Sequence, residues 1–489
     1  MENITEEIMD FNTLEKRIFT IMCQIACCIM QQCLQSYDKI IKALRDTKEY
    51  RLIDPKRKRT IKTMMGEITY TRAYYKDKNG VPVFLLDEAI GISKEYGLVS
   101  ENLAEQIVDE CADKSFRKAA NSISNLTGQF VSTMSAWGVV QRFGGKIEAQ
   151  EKRLSELKQA GTEGQLGNVS TRVLFEEFDD VWLSMQKRER HKQGTPAEEK
   201  GKKAGKKPMH VGTAYTGWSQ EKDGRYRIEN KVAYASFGSV PGFLSGFETL
   251  LGNIYDMDGV ERRVIGGDGD PWIRGAAEDC DAIFQLDPFH RSQAILRAIS
   301  EKSDRKTIVD ALNEKNVEKT LTLIYDLLTK AKDEVSLKKL GTLFGYFHSN
   351  KDSLLTWQER GVELPPPPDG VIYRNLGTQE PSNGNLITLR MKHRKGSWSP
   401  DGATNMAKIL SFRGTIGLDT ILGILPEAAA PLNSVEPLSA AKVPLYDGKG
   451  YDGAWLHADM PFEQVFMTYG REAIRGLLKQ RPLSELSFF

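Results

Sequence analysis

Residues 264–290, VIGGDGDPWIRGAAEDCDAIFQLDPFH, hold several side chains that can do chemistry. A first apolar run leads through two glycines to Asp268 and Asp270. A second apolar run ends at Asp287 and His290. Carboxylates just beyond a buried strand suit Mg²⁺, a hard cation that prefers oxygen ligands and takes one or two carboxylates from protein. An Asp-Gly turn, whose acids bond their own backbone, has the same composition, so a metal site and a plain turn are the alternatives.

Two further acids stand where a metal site can be assembled. Asp179 lies in the apolar strand TRVLFEEFDDVWLSMQ, where an acid is costly unless it is paired, exposed or bound to metal. Glu380 lies beyond a long helical region, and an α/β sheet brings Asp179 beside Asp268 if their strands are neighbours. Three such carboxylates serve phosphodiester cleavage by two metal ions, one activating a water or hydroxyl and the other stabilising the leaving oxygen. The acids therefore indicate a candidate site for two Mg²⁺ or Mn²⁺ ions.

The chain after residue 170 predicts a mixed α/β sheet interrupted by helices. The expected elements are the strand holding Asp179, strands at 209–218 and 229–238, a helix at 241–251, strands on either side of the acidic turn, and a helix at 402–412. Residues 291–360 show a charged helical pattern, which we interpret as a helical insertion. The prolines at 365–368 end it, because consecutive prolines exclude helical backbone angles.

The N-terminal region predicts one long amphipathic helix, or a pair of helices, followed by a β-hairpin. Residues 12–50 have apolar positions at helical spacing. Beyond them, apolar and polar residues alternate, and Asn79-Gly80 between two strand-like runs predicts a hairpin. Arg57, Lys58 and Arg59 lie beside it. They either contact a nucleic-acid backbone or form a solvated charged face.

A pair of helices follows the hairpin. Residues 115–126 predict one helix, Thr127-Gly128 a turn, and a second helix begins near Ser132. This is the outline of a helix-turn-helix, whose second helix can enter a major groove, and equally of an ordinary helical hairpin. Arg142 and Lys146 near the end of the second helix favour DNA.

Two basic segments belong to the later part of the chain. Residues 187–207 hold nine Lys or Arg against three Glu, and their Gly, Pro and Lys content predicts a mobile loop. Residues 390–395 follow Glu380, with Trp398 expected in the core. A run of charged residues usually forms a solvated face. Near carboxylates that face DNA phosphates, however, basic residues supply the positive charge that attracts the phosphates. The predicted DNA contacts here are Lys202, Lys203, Lys206, Lys207, Arg390, Lys392, Arg394 and Lys395.

Seven motifs occur in the order GEITYTRAYYKD, VFLLDEAIG, SFRKAA, DDVWLSMQ, GDGDPWI, LDPFH and a block from Glu380 to GSWSPDGATNMAKIL. Their order resembles that of the ISLre-type insertion-sequence transposases, distant relatives of the Mutator-like group. The resemblance implies a ribonuclease-H-like catalytic domain of the DDE kind, with Asp179, Asp268 and Glu380 as its three catalytic, metal-binding acids. LDPFH is similar to a signature of an acid or cysteine, two residues and a histidine, which implies supporting roles for Asp287 and His290.

Two positions depart from the pattern of that family. Asp180 stands where a glycine follows the first aspartate, so Asp179 and Asp180 are alternatives for the first acid. Asp270 stands where a small residue is expected, and Asp268 is favoured over it. The block around Glu380 keeps the glutamate, the basic residues and the tryptophan, but not the smaller residues around them. These departures allow a degraded copy with poor activity.

The resemblance predicts a DNA transposase that cleaves element ends and joins them to target DNA. The expected partners are double-stranded DNA and, when DNA is bound, further copies of this chain. A catalytically decayed DNA-binding protein and a nuclease without strand transfer are the alternatives. The expected domains are N-terminal helices (1–50), a hairpin and helix-turn-helix-like DNA-binding region (51–150), a catalytic core (171–290 and 369–415), a helical insertion (291–368) and a C-terminal tail (416–489).

Composition bounds these expectations. A chain of 489 residues with 40% hydrophobic and 27% charged residues suits a soluble protein of several domains. The net charge of +1 does not indicate a nucleic-acid binder, so the distribution of charge carries that argument. The six cysteines fall mostly in one apolar N-terminal segment, which predicts reduced thiols. The acidic N-terminus is unlike a signal peptide, and IFTIMCQIACCIM is too short and mixed to span a bilayer, which predicts a cytoplasmic protein without a membrane partner.

Overall fold

The computed structural model describes residues 10–92, 97–159, 167–186, 205–377, 384–392 and 396–415. The chain divides into two compact units: described residues up to Arg142 belong to the first and those from Phe143 onward to the second. The first contains a three-stranded sheet and the second a five-stranded one, and helices account for much of the remainder. The fold is therefore mixed α/β, as predicted.

The first unit begins with helix α1, Phe11–Leu44, which confirms the predicted N-terminal helix. Asp10 caps it by accepting a hydrogen bond from the Thr13 amide at 3.1 Å, which satisfies a donor that has no partner inside the helix. The second half of α1 packs on a small buried core. That core contains Ile61, Ile68, Tyr70 and Leu86, with Cys27, Met30, Leu34, Tyr37 and Ile41 of α1 against it.

Helix α1 also bears on the predicted absence of a membrane partner. Among the described residues it is the helix long and apolar enough to cross a bilayer, with an 18-residue window of mean hydropathy 1.4. The run judged too short and too mixed to span a bilayer is part of this 34-residue helix, which is long and apolar enough for a span. Length and composition do not separate a membrane helix from a core helix, and half of α1 packs against protein.

The hairpin of the first unit differs in one respect from the prediction. Its strands are β1 (Arg51–Thr63), β2 (Gly66–Lys76) and β3 (Pro82–Val83). The long hairpin β1–β2 turns at residues 64–65, followed by Gly66 at φ +143°. The predicted turn at Asn79-Gly80 is present, but it joins β2 to the two-residue β3. The longer turn was missed because Met64 and Met65 are not turn-forming residues.

Four helices follow the hairpin. Helices α2 to α5 span Leu85–Ala89, Glu101–Asp113, Phe116–Thr127 and Thr133–Gln159. Helix α4 ends at Gly128, whose φ of +65° lies in the left-handed region that glycine adopts without strain. Helices α4 and α5 therefore have the predicted helix-turn-helix outline. Helix α5 continues as far as Gln159.

The second unit is built on a mixed sheet. Its strands are β4 (Val173–Ser184), β5 (Lys206–Tyr215), β6 (Gly217–Gln220), β7 (Tyr226–Glu229), β8 (Val232–Ser236), β9 (Arg262–Gly267) and β10 (Ile283–Leu286). The main sheet has the order β10-β9-β4-β5-β8. β4, β9 and β10 are parallel, whereas β5 is antiparallel to both of its neighbours. β6 and β7 form a separate ribbon.

Two predicted strands are broken in the structure. The run 209–218 divides into β5 and β6 at Gly217, whose φ is +139°. The run 229–238 divides into β7 and β8 at Asn230, whose φ is +50°. Both breaks occur where the chain leaves the main sheet for the ribbon. A single glycine or asparagine inside an apolar run was too small a signal to predict them.

Helices cover the sheet and form a separate packed region. They are α6 (Val240–Ile254), α7 (Pro271–Asp279), α8 (Pro288–Ala298), α9 (Lys302–Asn313), α10 (Val317–Lys330), α11 (Glu334–Ser349) and α12 (Pro400–Arg413), with a π-helical segment at Gly384–Lys392. Helices α8 to α11 share a core that includes Ile324, Phe347 and Leu286 of β10. Residues 288–349 are thus largely helical, and their core is continuous with the edge of the sheet.

Strand β4 is buried on both faces, as its continuous apolar run implies. On one face Phe178 packs against Phe243 and Phe247 of α6 and Trp272 of α7. On the other face Phe175 packs against Tyr215 and Trp218. A central strand held on both sides gives the acids near its end a fixed position.

Candidate active site

Asp179 lies within β4, just beyond the stretch paired with β9, whereas Asp268 and Asp287 directly follow the parallel strands β9 and β10. In the pairing of β4 with β9, Glu177 lies opposite Gly266, and Asp179 and Asp268 each lie two residues further along. β10 pairs with the other side of β9, and Asp287 directly follows its last residue. The predicted condition, that the strands of Asp179 and Asp268 are neighbours, is therefore met. Parallel strands place their carboxyl ends together, and such edges commonly bind ligands in α/β sheets.

The acids interact electrostatically. The pKa of Asp179 is raised to about 6, chiefly by burial and also by the charges of Asp268 and Asp180, whereas His290 opposes the rise. The Asp180 amide donates to Asp179 Oδ1 at 2.8 Å and also opposes it. Partial desolvation and the charges of Asp268 and Asp180 likewise raise the pKa of Asp270. Carboxylates so close together favour a nearby positive charge.

The loop after β9 has features of both alternatives for GDGDPWI, the Asp-Gly turn and the metal site. Asp268 Oδ1 accepts the Asp270 amide at 2.9 Å, which is the backbone bond of an Asp turn. Gly269 has φ +90°, a conformation that favours glycine. Asp268 thus forms a turn and also lies beside Asp179. Asp270 is the N-terminal flanking residue of α7 and is exposed.

The choice between Asp179 and Asp180 follows from strand geometry. Successive side chains of a strand point to opposite faces of the sheet. Asp180 Oδ1 lies 2.6 Å from His210 Nδ1 on β5, and the His210 ring packs against Trp272 at 5.2 Å. Asp180 therefore has a partner on the face of α7, which leaves Asp179 for the site with Asp268. Sequence reasoning did not single out His210, although a histidine within the apolar run MHVGTAY was a signal.

Asp287 and His290 lie at the start of α8. Asp287 caps the helix, with Oδ1 accepting the Phe289 amide at 2.8 Å. Its own amide donates to the Gly267 carbonyl at 2.8 Å, which ties the end of β10 to the end of β9. His290, in the first turn of α8, lies close enough to act on the charges of Asp179 and Asp270. Both residues therefore lie beside the acids, although Asp287 has a structural bond as well.

Glu380 lies outside the described residues, but the chain on both sides of it is anchored to β4. The Gly377 amide donates to Glu177 Oε2 at 3.0 Å, and Glu177 Oε1 accepts the Tyr215 hydroxyl at 2.6 Å. On the far side, the Trp398 amide donates to the Ser184 carbonyl at 3.0 Å. The segment that carries Glu380 therefore begins and ends against the strand that carries Asp179.

The basic residues predicted to contact DNA in the first unit have different environments. Arg57, Lys58 and Arg142 are exposed. Arg59 forms an ion pair with the buried Asp87, so it belongs to a structural network rather than to the predicted free basic face. Lys146, from the second unit's part of α5, is half-buried.

The basic residues of the second unit also require corrections. Lys206 and Lys207 are exposed, but they belong to β5 rather than to the predicted loop. Lys392 is exposed, whereas Arg390 is only 7% exposed, with its guanidinium 5.1 Å from the centre of the Trp398 ring. Arg390 is therefore in the interior and not on the predicted solvated face, and Trp398 is in the core as expected. Lys202, Lys203, Arg394 and Lys395 lie outside the described residues.

The donor set of the described site fits one divalent cation. Asp179 and Asp268 offer carboxylate oxygens, and Mg²⁺ commonly takes one or two carboxylates from protein and completes its shell with water and phosphate. Within the described ranges, no group of three or more His, Cys, Asp or Glu side chains is arranged to hold a metal ion. A three-carboxylate, two-ion site would therefore need a residue from outside those ranges.

Comparison with protein families shows what class of chain this is. Residues 4–420 match the Uncharacterised protein family (UPF0236), and the chain belongs to that family. The match includes both units and the acids at the sheet edge.

Curated relatives cover most of the chain. A UPF0236 protein of Caldanaerobacter subterraneus subsp. tengcongensis is 24% identical over 84% of this chain and 81% of its own length. Another from the same organism, 23% identical over 84% of this chain and 80% of its own length, carries eleven locus designations in its name. A UPF0236 protein of Streptococcus gallolyticus, named for the vanSb 3′ region, is 23% identical over 81% of this chain and 82% of its own length.

Two solved structures resemble part of the chain at low similarity. They are the Mos1 strand transfer complex and a pre-cleavage Mos1 transpososome, with TM-scores of 0.13 and 0.12. Each is 10% identical and covers 51% of this chain, with 77% and 78% of the other chain covered. At such TM-scores neither fold nor function follows from the match.

Proposed function

We propose that this protein is a DNA transposase of the ISLre type, with a ribonuclease-H-like catalytic unit that cleaves element ends and joins them to target DNA. The observation that carries the proposal is the placement of Asp179 of β4 beside Asp268, which follows β9, each two residues beyond the last pair of the two parallel strands. The strand order β10-β9-β4-β5-β8, in which β5 alone runs against the others, supports the ribonuclease-H-like assignment. The order of motifs along the chain supports the transposase family.

The names of the relatives support mobility. One relative carries eleven locus designations in a single organism, and another carries four. A sequence that copies itself within a genome produces several loci with one product. A host enzyme with a single metabolic task does not require such multiplication.

The chemistry assigned to the site is phosphodiester cleavage followed by transfer. Asp179 and Asp268 would hold a divalent ion, which when bound lowers the pKa of a water molecule and stabilises the leaving oxygen. The water attacks phosphorus at the element end, and the broken bond leaves a 3′ hydroxyl. That hydroxyl attacks a target phosphodiester in the same in-line geometry and releases a target 3′ oxygen. His290 would favour the ionised form of Asp179, which is the form that binds a cation.

Glu380 is proposed as the third acid. Gly377, three residues before it, is bonded to Glu177, which lies two residues before Asp179 on β4. Three residues of chain span at most about 11 Å. The covalent connection therefore permits Glu380 to reach the acids, and with Asp179 and Asp268 it would complete a site for two Mg²⁺ or Mn²⁺ ions.

DNA binding is assigned to exposed basic residues and to the helix pair of the first unit. Arg57, Lys58 and Arg142 would contact phosphates, and α5 would enter a groove. In the second unit Lys206, Lys207 and Lys392 remain candidates, together with the predicted lysines and arginines outside the described residues. Two element ends must be held together before transfer, which implies at least a dimer on DNA.

One incubation tests the proposal against its alternatives. The full chain is mixed with Mg²⁺ and DNA containing the boundaries of the encoding element, and products are separated on a denaturing gel. Nicking at the boundary together with joined products is the expected result. Nicking alone would identify a nuclease, and bound but uncut DNA would identify a decayed binding protein. Either of these results would overturn the transposase assignment.

A further inference from the structure

The last turns of α11 contact the loop that carries Asp268. Tyr346 of α11 donates from its hydroxyl to the backbone carbonyl of Asp268 at 2.6 Å. Arg274 of α7, the helix that follows the loop, donates to the Ser349 carbonyl at 3.0 Å. The acidic loop and the helix after it are therefore both tied to α11. This helix belongs to the helical region and not to the sheet, so the sheet alone does not set the position of Asp268.

The loop that carries Asp268 is also closely packed against its neighbours. A Cβ placed on Gly269 would lie 2.9 Å from Leu286 and 3.0 Å from the Asn350 side chain. Asn350, in turn, donates from Nδ2 to the Tyr346 carbonyl at 2.8 Å. Leu286 also belongs to the core formed by α8 to α11. The loop therefore has little room to move between β10 and the end of α11.

We propose that Tyr346 is a positioning residue for Asp268, an inference that rests on the proposed function. Its hydroxyl holds the Asp268 carbonyl and so fixes the direction from which the Asp268 carboxylate meets a divalent cation. Tyr346 forms or breaks no bond in the reaction. Groups that orient metal ligands typically change metal affinity or activity by about 10- to 100-fold when they are removed.

The test measures cation binding directly. Mn²⁺ is titrated into the full-length chain without DNA, and the loss of the electron paramagnetic resonance signal of free Mn²⁺ gives the dissociation constant. We expect Tyr346→Phe, which removes only the hydroxyl, to weaken Mn²⁺ binding about tenfold. Tyr325→Phe is the matched control, because Tyr325 lies on α10 of the same helical region and is 52% exposed. It should bind Mn²⁺ as the parent chain does.

The outcomes separate this inference from the function on which it rests. If Asp268→Asn weakens Mn²⁺ binding and Tyr346→Phe does not, the positioning role is overturned and the metal site stands. If Asp268→Asn binds Mn²⁺ as tightly as the parent chain, the proposed catalytic site itself is overturned. Should Tyr346→Phe not unfold cooperatively on heating, Asn350→Ala replaces it, because Asn350 supports the Tyr346 backbone. Parental Mn²⁺ affinity in that variant would overturn the positioning role.

Discussion

Glu176 and Asp179 lie three residues apart on the same strand and have opposite kinds of neighbour. Glu176 is fully buried and accepts two hydrogen bonds from the Arg263 guanidinium, at 2.6 and 2.8 Å. Asp179 lies beside Asp268 and Asp180, and their charges together with burial raise its pKa to about 6. Glu176 is paired with an arginine of the protein itself, and this ion pair stabilises the fold. Asp179 has carboxylates as neighbours, and this arrangement suits a metal cation that binds from solution.

The largest expected effect is on the acids of the site. We predict that Asp268→Asn or Asp179→Asn lowers DNA cleavage by more than about a hundredfold, because even groups that only orient metal ligands typically cost 10- to 100-fold. DNA binding should persist, as measured by a mobility shift. Asp279→Asn, at the exposed far end of α7, is the control and should cleave normally. Cleavage at parental rates by Asp268→Asn would contradict the metal assignment.

Loss of the ion pair between Arg263 and Glu176 should lower the stability of the fold. We predict that Arg263→Leu lowers the free energy of unfolding by about 3–5 kcal/mol, because it leaves the buried Glu176 charge without its partner. Urea denaturation followed by circular dichroism measures this change. The adjacent Arg262→Leu is the matched control, since Arg262 is exposed at the start of the same strand. Equal stability of the two variants would mean that the Glu176 pair does not support the fold.

Mg²⁺ that binds the site carboxylates should stabilise the folded chain. Mg²⁺ at a hundred times its dissociation constant should stabilise the parent chain by about 2.7 kcal/mol, because it binds the folded state alone. The gain should vanish in Asp179→Asn and after addition of a chelator. Thermal denaturation with and without Mg²⁺ measures it. The same gain in Asp179→Asn would place the cation elsewhere.

The smallest effect is expected at Asp180, which faces the other side of the sheet. Asp180→Asn retains an oxygen that can accept from His210, so we predict a loss of stability of no more than about 1 kcal/mol. Cleavage should stay within a few-fold of the parent chain. Gel assays of cleavage by Asp179→Asn and Asp180→Asn, run together, decide between the two acids. Inactivity of Asp180→Asn alone would reverse the assignment.

Sequence patterns predicted the parts of the fold that depend on local periodicity. The strand carrying Asp179, the strands beside GDGDPWI and the helices α1, α4 and α12 all follow from apolar spacing and from the residues that cap or break them. The adjacency of β4 and β9 did not follow from spacing, and it was stated only as a condition. It depends on the order of strands in the sheet, which contacts between distant parts of the chain determine.

Other features were beyond local reasoning because they are tertiary. Nothing in the local sequence distinguishes Arg390 from the exposed Lys392, and only the packing against Trp398 places Arg390 in the interior. The pairing of Asp180 with His210 requires a partner on another strand, whereas the cap formed by Asp287 uses the nearby Phe289 amide and is local. Tyr346 lies 78 residues from Asp268 and within an unremarkable helical pattern, so no local signal linked it to the acids.

The anchoring of Gly377 to Glu177 has a consequence for how relatives of this chain can vary. The helical region leaves the sheet at β10 and the chain returns to β4 at Gly377, so both ends of this long excursion are fixed. Lengthening the connection between α9 and α10 costs little, since each doubling of a flexible loop adds only about 0.6 kcal/mol of closure entropy. Insertions and deletions should therefore accumulate between α9 and α10. They should stop at α11, which the Tyr346 hydroxyl and the packing of Asn350 against Gly269 hold to the acidic loop.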